Sequence, residues 1–157
     1  MARQKITTFL WFNDNAEEAA NFYVSIFKNS RIVNATRYTE SGPGPAGSVM
    51  TIEFELDGVP FIALNGGPHF QFTEAISLSV DCETQAEIDH YWSNLTKGGQ
   101  ESRCGWLKDK YGLSWQIVPS TMGQLMSNPA TSKRVVEALM QMAKLDIQKL
   151  KDAGNRS

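Results

Sequence analysis

Two serines two residues apart, Ser77 and Ser79, and a second polar pair at the same spacing, Ser114 and Gln116, are the chain's leading candidates for chemistry. Each pair lies in a run that reads as a β-strand, Ala75 to Val80 and Leu113 to Val118, and residues two apart on a strand share a face. Three hydroxyls and an amide on one side of a sheet donate and accept hydrogen bonds without carrying charge. Such a wall suits a small neutral or weakly polar molecule, because a buried amide is costly until something partners it.

Other chemistries find little support. The two histidines are far apart: His90 falls inside a helical pattern and reads as a surface residue, while His69 follows Pro68 in a linker and reads as exposed or at a pocket rim. Cys82 and Cys104 form no CxxC pair and no zinc-like spacing, so both read as reduced thiols. There is no Ser/His/Asp arrangement, no phosphate loop and no carboxylate pair for acid/base work. Fifteen basic and seventeen acidic residues leave a net charge of −2, which offers no positive field to draw a nucleic acid. No apolar stretch has the length of a signal peptide's core or a membrane span, so the expectation is a cytoplasmic protein with no membrane partner.

The elements that must hold these residues follow from periodicity. Ile6 to Phe12 reads as a strand, and Asn15 with Glu18 has capping-box spacing ahead of a helix whose apolar stripe is Ala19, Phe22, Tyr23, Ile26 and Phe27. Arg31 to Thr39 and the alternating Met50, Ile52, Phe54 and Leu56 predict two further strands, separated by a Gly/Pro loop at residues 41–47. Asp57-Gly58 predicts a tight hairpin into Val59 to Asn65. The second half repeats the pattern. The strand Ala75 to Val80 precedes a helix opened by Thr84 and Glu87, with stripe Ile88, Tyr91, Trp92 and Leu95. Glu101 to Leu107, a turn ending at Gly112 and the strand Leu113 to Val118 complete it. Phe22-Tyr23 matches Tyr91-Trp92 at a separation of 69 residues, which also carries Phe9 onto Leu78, and Gly58 to Ile62 matches Gly112 to Gln116 at 54. Beyond Pro119, Asn128-Pro129-Ala130-Thr131 ends one short segment, and the stripe Val136, Leu139, Met140, Ala143, Ile147 and Leu150 predicts one long helix.

The stretches Phe9-Leu10-Trp11-Phe12 and Asn65-Gly66-Gly67-Pro68, and above all the run from Cys104 to Pro119, resemble the PhnB-like branch of the glyoxalase/bleomycin-resistance/dioxygenase (vicinal oxygen chelate) superfamily. Some members of this branch carry a demethylubiquinone methyltransferase label. The resemblance implies an α+β fold in which two tandem βαβββ modules form a cupped mixed sheet, followed by a helical tail. The expected organisation is a single domain over 5–145, with module one at about 5–70, module two at about 73–119 and a helical extension at 120–151. Residues 152–157 are expected to be a flexible tail. A homodimer is implied as well.

Superfamily enzymes hold a divalent metal in the cup and use it as a Lewis acid. Its ligand positions fall here on Ile6, Ile62, Ala75 and Gln116, none an imidazole or a carboxylate, so neither metal nor cofactor is expected. With Gln116 inward, the expected pocket comprises Gln116, Ser114, Ser77 and Ser79, faced by Leu10, Phe12 and Leu64 from module one together with Thr8 and Ile62. Trp106 and Lys108 sit on the rim, and Trp115 and Ile117 turn outward against the helix of Tyr91 and Trp92. Three readings stay open. One is a metal-free module that binds a small organic molecule. The second is a divergent lyase, isomerase or dioxygenase using Gln116 and the hydroxyls as oxyanion donors. The third, a methyltransferase, is disfavoured because a cofactor-binding turn needs glycines between a strand and a helix. Here Gly42 to Gly47 is broken by two prolines, and the pairs Gly66-Gly67 and Gly98-Gly99 have the wrong spacing.

Overall fold

The structure is a computed structural model and describes residues 4–156; the basic start Met1 to Arg3 and Ser157 of the expected tail lie outside the described residues. The chain divides into two units, Met1–Gln71 and Phe72–Ser157. Each unit contains the expected βαβββ order and a four-stranded mixed sheet.

Module one runs β1 (Thr8–Phe12), α1 (Ala16–Ile26), β2 (Arg31–Arg37), β3 (Val49–Leu56) and β4 (Val59–Asn65). Its strand order is β1-β4-β3-β2, with β1 parallel to β4 and the remaining pairs antiparallel. The alternation of β3 is realised: Ile52, Phe54 and Leu56 are buried and Thr51, Glu53 and Glu55 only half so. Tyr23 of α1 stacks on Phe54 at 6.3 Å, and Phe54 stacks on Phe61 of β4 at 5.4 Å, so the helix lies on the sheet face that carries these side chains. Asp57 and Gly58 both adopt positive φ, 47° and 77°, the conformation that closes a two-residue hairpin between twisted strands.

One cap differs from expectation. Asn15 makes no side-chain cap to α1. Instead Asn65, at the end of β4, accepts the Ala16 amide proton on Oδ1 at 2.8 Å and donates from Nδ2 to the Val49 carbonyl at 3.1 Å. A sheet residue thus ties the helix start to two strands. Asn65→Ala should cost about 1–2 kcal/mol, the loss of a helix cap and of a second partly buried bond, measurable as a lowered chemical-denaturation midpoint.

Module two runs β5 (Ser77–Cys82), α2 (Gln85–Thr96), β6 (Gln100–Glu101), β7 (Trp106–Lys108) and β8 (Ser114–Pro119), with strand order β5-β8-β7-β6. Here the predicted capping pair works. Thr84 Oγ1 accepts the Glu87 amide proton at 3.2 Å, and the Glu87 carboxylate in turn accepts from the Glu83 amide at 3.0 Å. Trp92, Trp115, Leu107 and Ile117 are buried on the α2 side. The β7–β8 turn is built on Asp109, which is 3% exposed. Its Oδ1 accepts from the amides of Tyr111 at 2.9 Å and Leu113 at 3.1 Å, and its Oδ2 accepts from the Trp115 indole at 2.9 Å.

The short segment before Asn128 holds α3 (Met122–Met126), and the predicted long C-terminal helix is two, α4 (Pro129–Leu139) and α5 (Ile147–Asn155). Asn128 caps α4 with Pro129 at its first turn, and the chain leaves helical geometry between Met140 and Asp146. The break is fixed by partners outside the helices. The carbonyls of Met142 and Ala143 accept from the amides of Cys104 and Gly105, while Gln85 of α2 donates to the Leu145 carbonyl and accepts from the Ile147 amide. Hydrophobic periodicity alone does not reveal such bonds. The residues expected to fray, from 152 onward, continue α5 to Asn155, with Ala153 buried and its carbonyl bonded by Arg134. Val135, Leu145 and Leu150 form the core of this extension, and Val118 of β8 packs against it. Among the described residues no helix is long and apolar enough to cross a membrane.

Candidate functional site

Strand register determines which side chains meet. In module two Ser77 of β5 stands opposite Ser114 of β8, Lys108 of β7 is opposite the same Ser114, and Gln100 of β6 is opposite Lys108. Directly opposed residues share a face, so Ser77, Ser114, Lys108 and Gln100 make one lateral row across all four strands. The next row is Ser79, Gln116 and Trp106. Both rows lie on the face opposite Trp115 and Ile117, the open face. The structure therefore brings together Ser77, Ser79, Ser114, Gln116, Trp106 and Lys108. Trp106 and Lys108, expected at a rim, are strand residues within the rows. Val118, two residues past Gln116 on β8, is packed on by the helical extension.

Leu10 and Phe12 of module one do not belong with the open face. They are 5% and 3% exposed, and Leu10 pairs in register with Ala63, itself beside Ile52, on the face that α1 covers. Thr8, paired with Phe61, points the same way. The open face of that sheet is formed by Phe9, Trp11, Ile62 and Leu64. The physical reason is a one-residue register error. The helices repeat at 69, but the β1–α1 connection is one residue longer than the β5–α2 connection, so the first strands repeat at 70. A slip of one residue exchanges the two faces of a strand. Leu64 stays where it was expected, and Trp11 replaces Phe12 beside it.

The polar atoms of the module-two face are unevenly satisfied. Gln116 Nε2 donates to Ser77 Oγ at 2.9 Å, so this amide has an internal partner and Ser77 retains its own hydroxyl proton. Ser114 Oγ is buried without a hydrogen-bond partner among the described residues; the other such side-chain oxygen is that of Thr121. A cavity of about 160 Å³ opens against Ser114, Lys108, Trp106, Gln100 and Glu74. Lys108 Nζ forms an ion pair with Glu74, a residue of the segment before β5. The hydrogen bond from Lys108 holds the Glu74 carboxyl below its ordinary range, helped by a backbone hydrogen bond and the lysine's charge. The contact is thus complete above the usual carboxylate pKa and is lost as pH falls through the lowered value.

Gln100 and Glu74 were not anticipated. A two-residue strand is too short to display alternation, and nothing in the sequence marks Glu74 as a partner of Lys108. Glu101 also borders the cavity, but it pairs in register with Leu107 on the helix side, where its carboxylate accepts from the Trp92 indole at 2.8 Å.

Neither thiol nor imidazole adds reactivity to this face. Burial, followed by the charges of Glu87 and Asp81, pushes the Cys82 thiol up to about 12, which keeps it protonated at neutral pH. His90 is an exposed residue of α2 next to Asn94. His69 is exposed and borders a separate cavity of about 400 Å³ in module one, with Asp14, Tyr38 and Asn65. The donor set does not fit a divalent metal. The expected ligand position of β8 carries an amide already hydrogen-bonded, that of β4 carries Ile62, and Ala75 precedes β5 altogether. No three His, Cys, Asp or Glu side chains come together among the described residues.

The glycines have structural partners of their own. A Cβ on Gly42 or Gly44 would strike the Tyr38 ring, and one on Gly66 would strike the Trp11 indole, whose N–H donates to the Gly67 carbonyl at 2.9 Å. These loops close on aromatic rings.

Comparison with known proteins agrees with this architecture. A comparison with curated proteins returned no match. A putative 3-demethylubiquinone-9 3-methyltransferase, PhnB protein, from Bacillus cereus is 44% identical over 74% of this chain and 99% of its own, with a TM-score of 0.68. The Pseudomonas aeruginosa protein PA1353 is 19% identical over 74% of this chain and 98% of its own, with a TM-score of 0.62. The fosfomycin resistance protein FosX from Mesorhizobium loti is 14% identical over 82% and 100%, with a TM-score of 0.57, and shares the fold. The family model described as 3-demethylubiquinone-9 3-methyltransferase matches residues 4–118. With a family model that matches residues 4–118 and a relative 44% identical over 74% of this chain, the protein belongs to that family, the PhnB-like proteins, and has a glyoxalase-like fold.

Proposed function

We propose that this protein binds a small organic molecule on the open face of its second sheet, without metal or cofactor. The observation that supports this reading is the convergence of Ser77, Ser79, Ser114, Gln116 and Lys108, with the Trp106 ring beside them, in two adjacent rows on one sheet face. Hydroxyls and an amide supply directional hydrogen bonds, and the indole supplies apolar contact. A superfamily metal would need imidazole or carboxylate ligands, and the equivalent positions offer none.

The proposal includes a homodimer and a cytoplasmic location, with no nucleic acid or membrane as partner. Support comes from family membership, the two free thiols, the net charge of −2, and apolar residues such as Ile76 and Met140 that the single chain leaves exposed. Methyl transfer is not part of the proposal, since its support is the family's description alone. Calorimetry with S-adenosylmethionine is expected to show no binding, and a stoichiometric isotherm would bring that activity back.

A second reading, catalysis with Ser114 and Lys108 as oxyanion donors, is favoured by one observation, the unspent Ser114 hydroxyl. Metal content separates the proposal from metal-dependent chemistry. Protein purified without chelator should carry well under one equivalent of divalent metal, and Gln116→Ala should not change that content. A full equivalent that disappears in Gln116→Ala would overturn the metal-free assignment.

A further inference from the structure

The row Ser77–Ser114–Lys108–Gln100 contains only hydrogen-bond donors or groups able to donate: two hydroxyls, one ammonium and one amide. No acidic strand residue lies in it. Among the described residues, the carboxylate paired with the row's lysine comes from outside the sheet, from Glu74, whose side chain is 61% exposed. Ser114 adds an independent observation. The residue is 1% exposed, its Oγ has no partner among the described residues, and it borders the same cavity as Lys108 and Glu74. A buried hydroxyl left unpaired carries a desolvation cost, and a ligand atom placed against it recovers that cost.

We propose that this row is an oxyanion subsite for the carboxylate of a small organic acid, and that Glu74 occupies it in the free protein as an internal stand-in for that carboxylate. The inference rests on the ligand-binding reading above and names the class of ligand. The ligand's carboxylate displaces Glu74 from Lys108 Nζ, accepts a hydrogen bond from the Ser114 hydroxyl, and lies against the Gln100 amide donor. One cation matches one negative charge, which selects a monoanion over a phosphate dianion. The cavity, at about 160 Å³, corresponds to roughly five water volumes, so it takes the acid group and a short stem, with the rest of the ligand extending along the row of Gln116 and Trp106.

The test uses the full chain and acetate as probe, with acetamide and inorganic phosphate as controls, followed by the Trp106 indole and Ser114 amide resonances. Acetate should shift both signals. Glu74→Gln should tighten acetate binding about two- to fivefold by removing the competitor, a size set by what an exposed ion pair contributes. Lys108→Met should weaken it about tenfold or more. Ser114→Ala should weaken it while leaving the melting temperature unchanged or raised, since that variant deletes an unsatisfied buried group; this separates a binding role from a folding one. Acetate binding that is indifferent to Lys108→Met, acetamide binding as tightly as acetate, or phosphate binding more tightly than acetate would each overturn the subsite. If acetate ignores Lys108 while neutral fragments still depend on Gln116, the subsite fails and the ligand-binding reading stands. If neither dependence appears, both fail.

Discussion

Asp109→Ala should lower stability by about 3–5 kcal/mol, because it removes at once the acceptor that serves two buried donors and one part-buried donor. The carboxylate takes the amides of Tyr111 and Leu113 on one oxygen and the Trp115 indole on the other. In a chain of 157 residues a loss of that size corresponds to a melting temperature lower by about 10 °C. Asp109→Asn should fall between, since its oxygen can still serve the two amides while its NH2 group faces the indole N–H. The same turn joins Lys108 to Ser114, so at a temperature where the variant is folded its acetate affinity should also fall. Thermal unfolding checks the first effect and the titration the second; a loss under 1 kcal/mol would show that the turn closes without its carboxylate.

Phe54→Ala should be about as damaging, at roughly 3–5 kcal/mol, the cost of removing a buried aromatic ring that cannot be replaced by collapse of its neighbours. Phe54 is 1% exposed and lies between Tyr23 of α1 and Phe61 of β4 in a stacked series. Phe54→Leu, which keeps much of the volume, should cost under about 1.5 kcal/mol. Hydrogen exchange should report faster opening of α1 and of β3 and β4, the elements this ring joins. Equal stability of the alanine and leucine variants would contradict the stacked packing.

Much of this organisation is legible in the sequence, for reasons that can be named. Asp57-Gly58 fixes a hairpin because few other pairs accept two positive φ values, and Thr84 with Glu87 marks the start of α2 because both capping partners are local. Information that depends on distant residues was hidden. The α1 cap comes from Asn65, 49 residues away from Ala16, and the tail helix is broken by Gln85, Cys104 and Gly105, which no local pattern reveals. At the site, alternation grouped Ser114 with Gln116 and Ser77 with Ser79. It misplaced Leu10 and Phe12 because the register was carried over from the helices, and a connection longer by one residue reverses the faces. Asp109 was legible in principle, since Asp109-Lys110-Tyr111-Gly112 has the acid and the glycine in their usual turn positions. Its bond to the Trp115 indole was not.

The central claim is that ligands are held by side chains on the open face of the second sheet and require no metal. The most direct measurement is a ligand-observed NMR screen of small organic fragments, acids included, run on wild type and Gln116→Ala, each with and without EDTA. The account predicts fragments whose binding to wild type is unchanged by EDTA and weakened about tenfold in the variant, the loss of one well-placed hydrogen bond to a ligand. Binding that vanishes with EDTA, or that is identical in the two proteins, would contradict it.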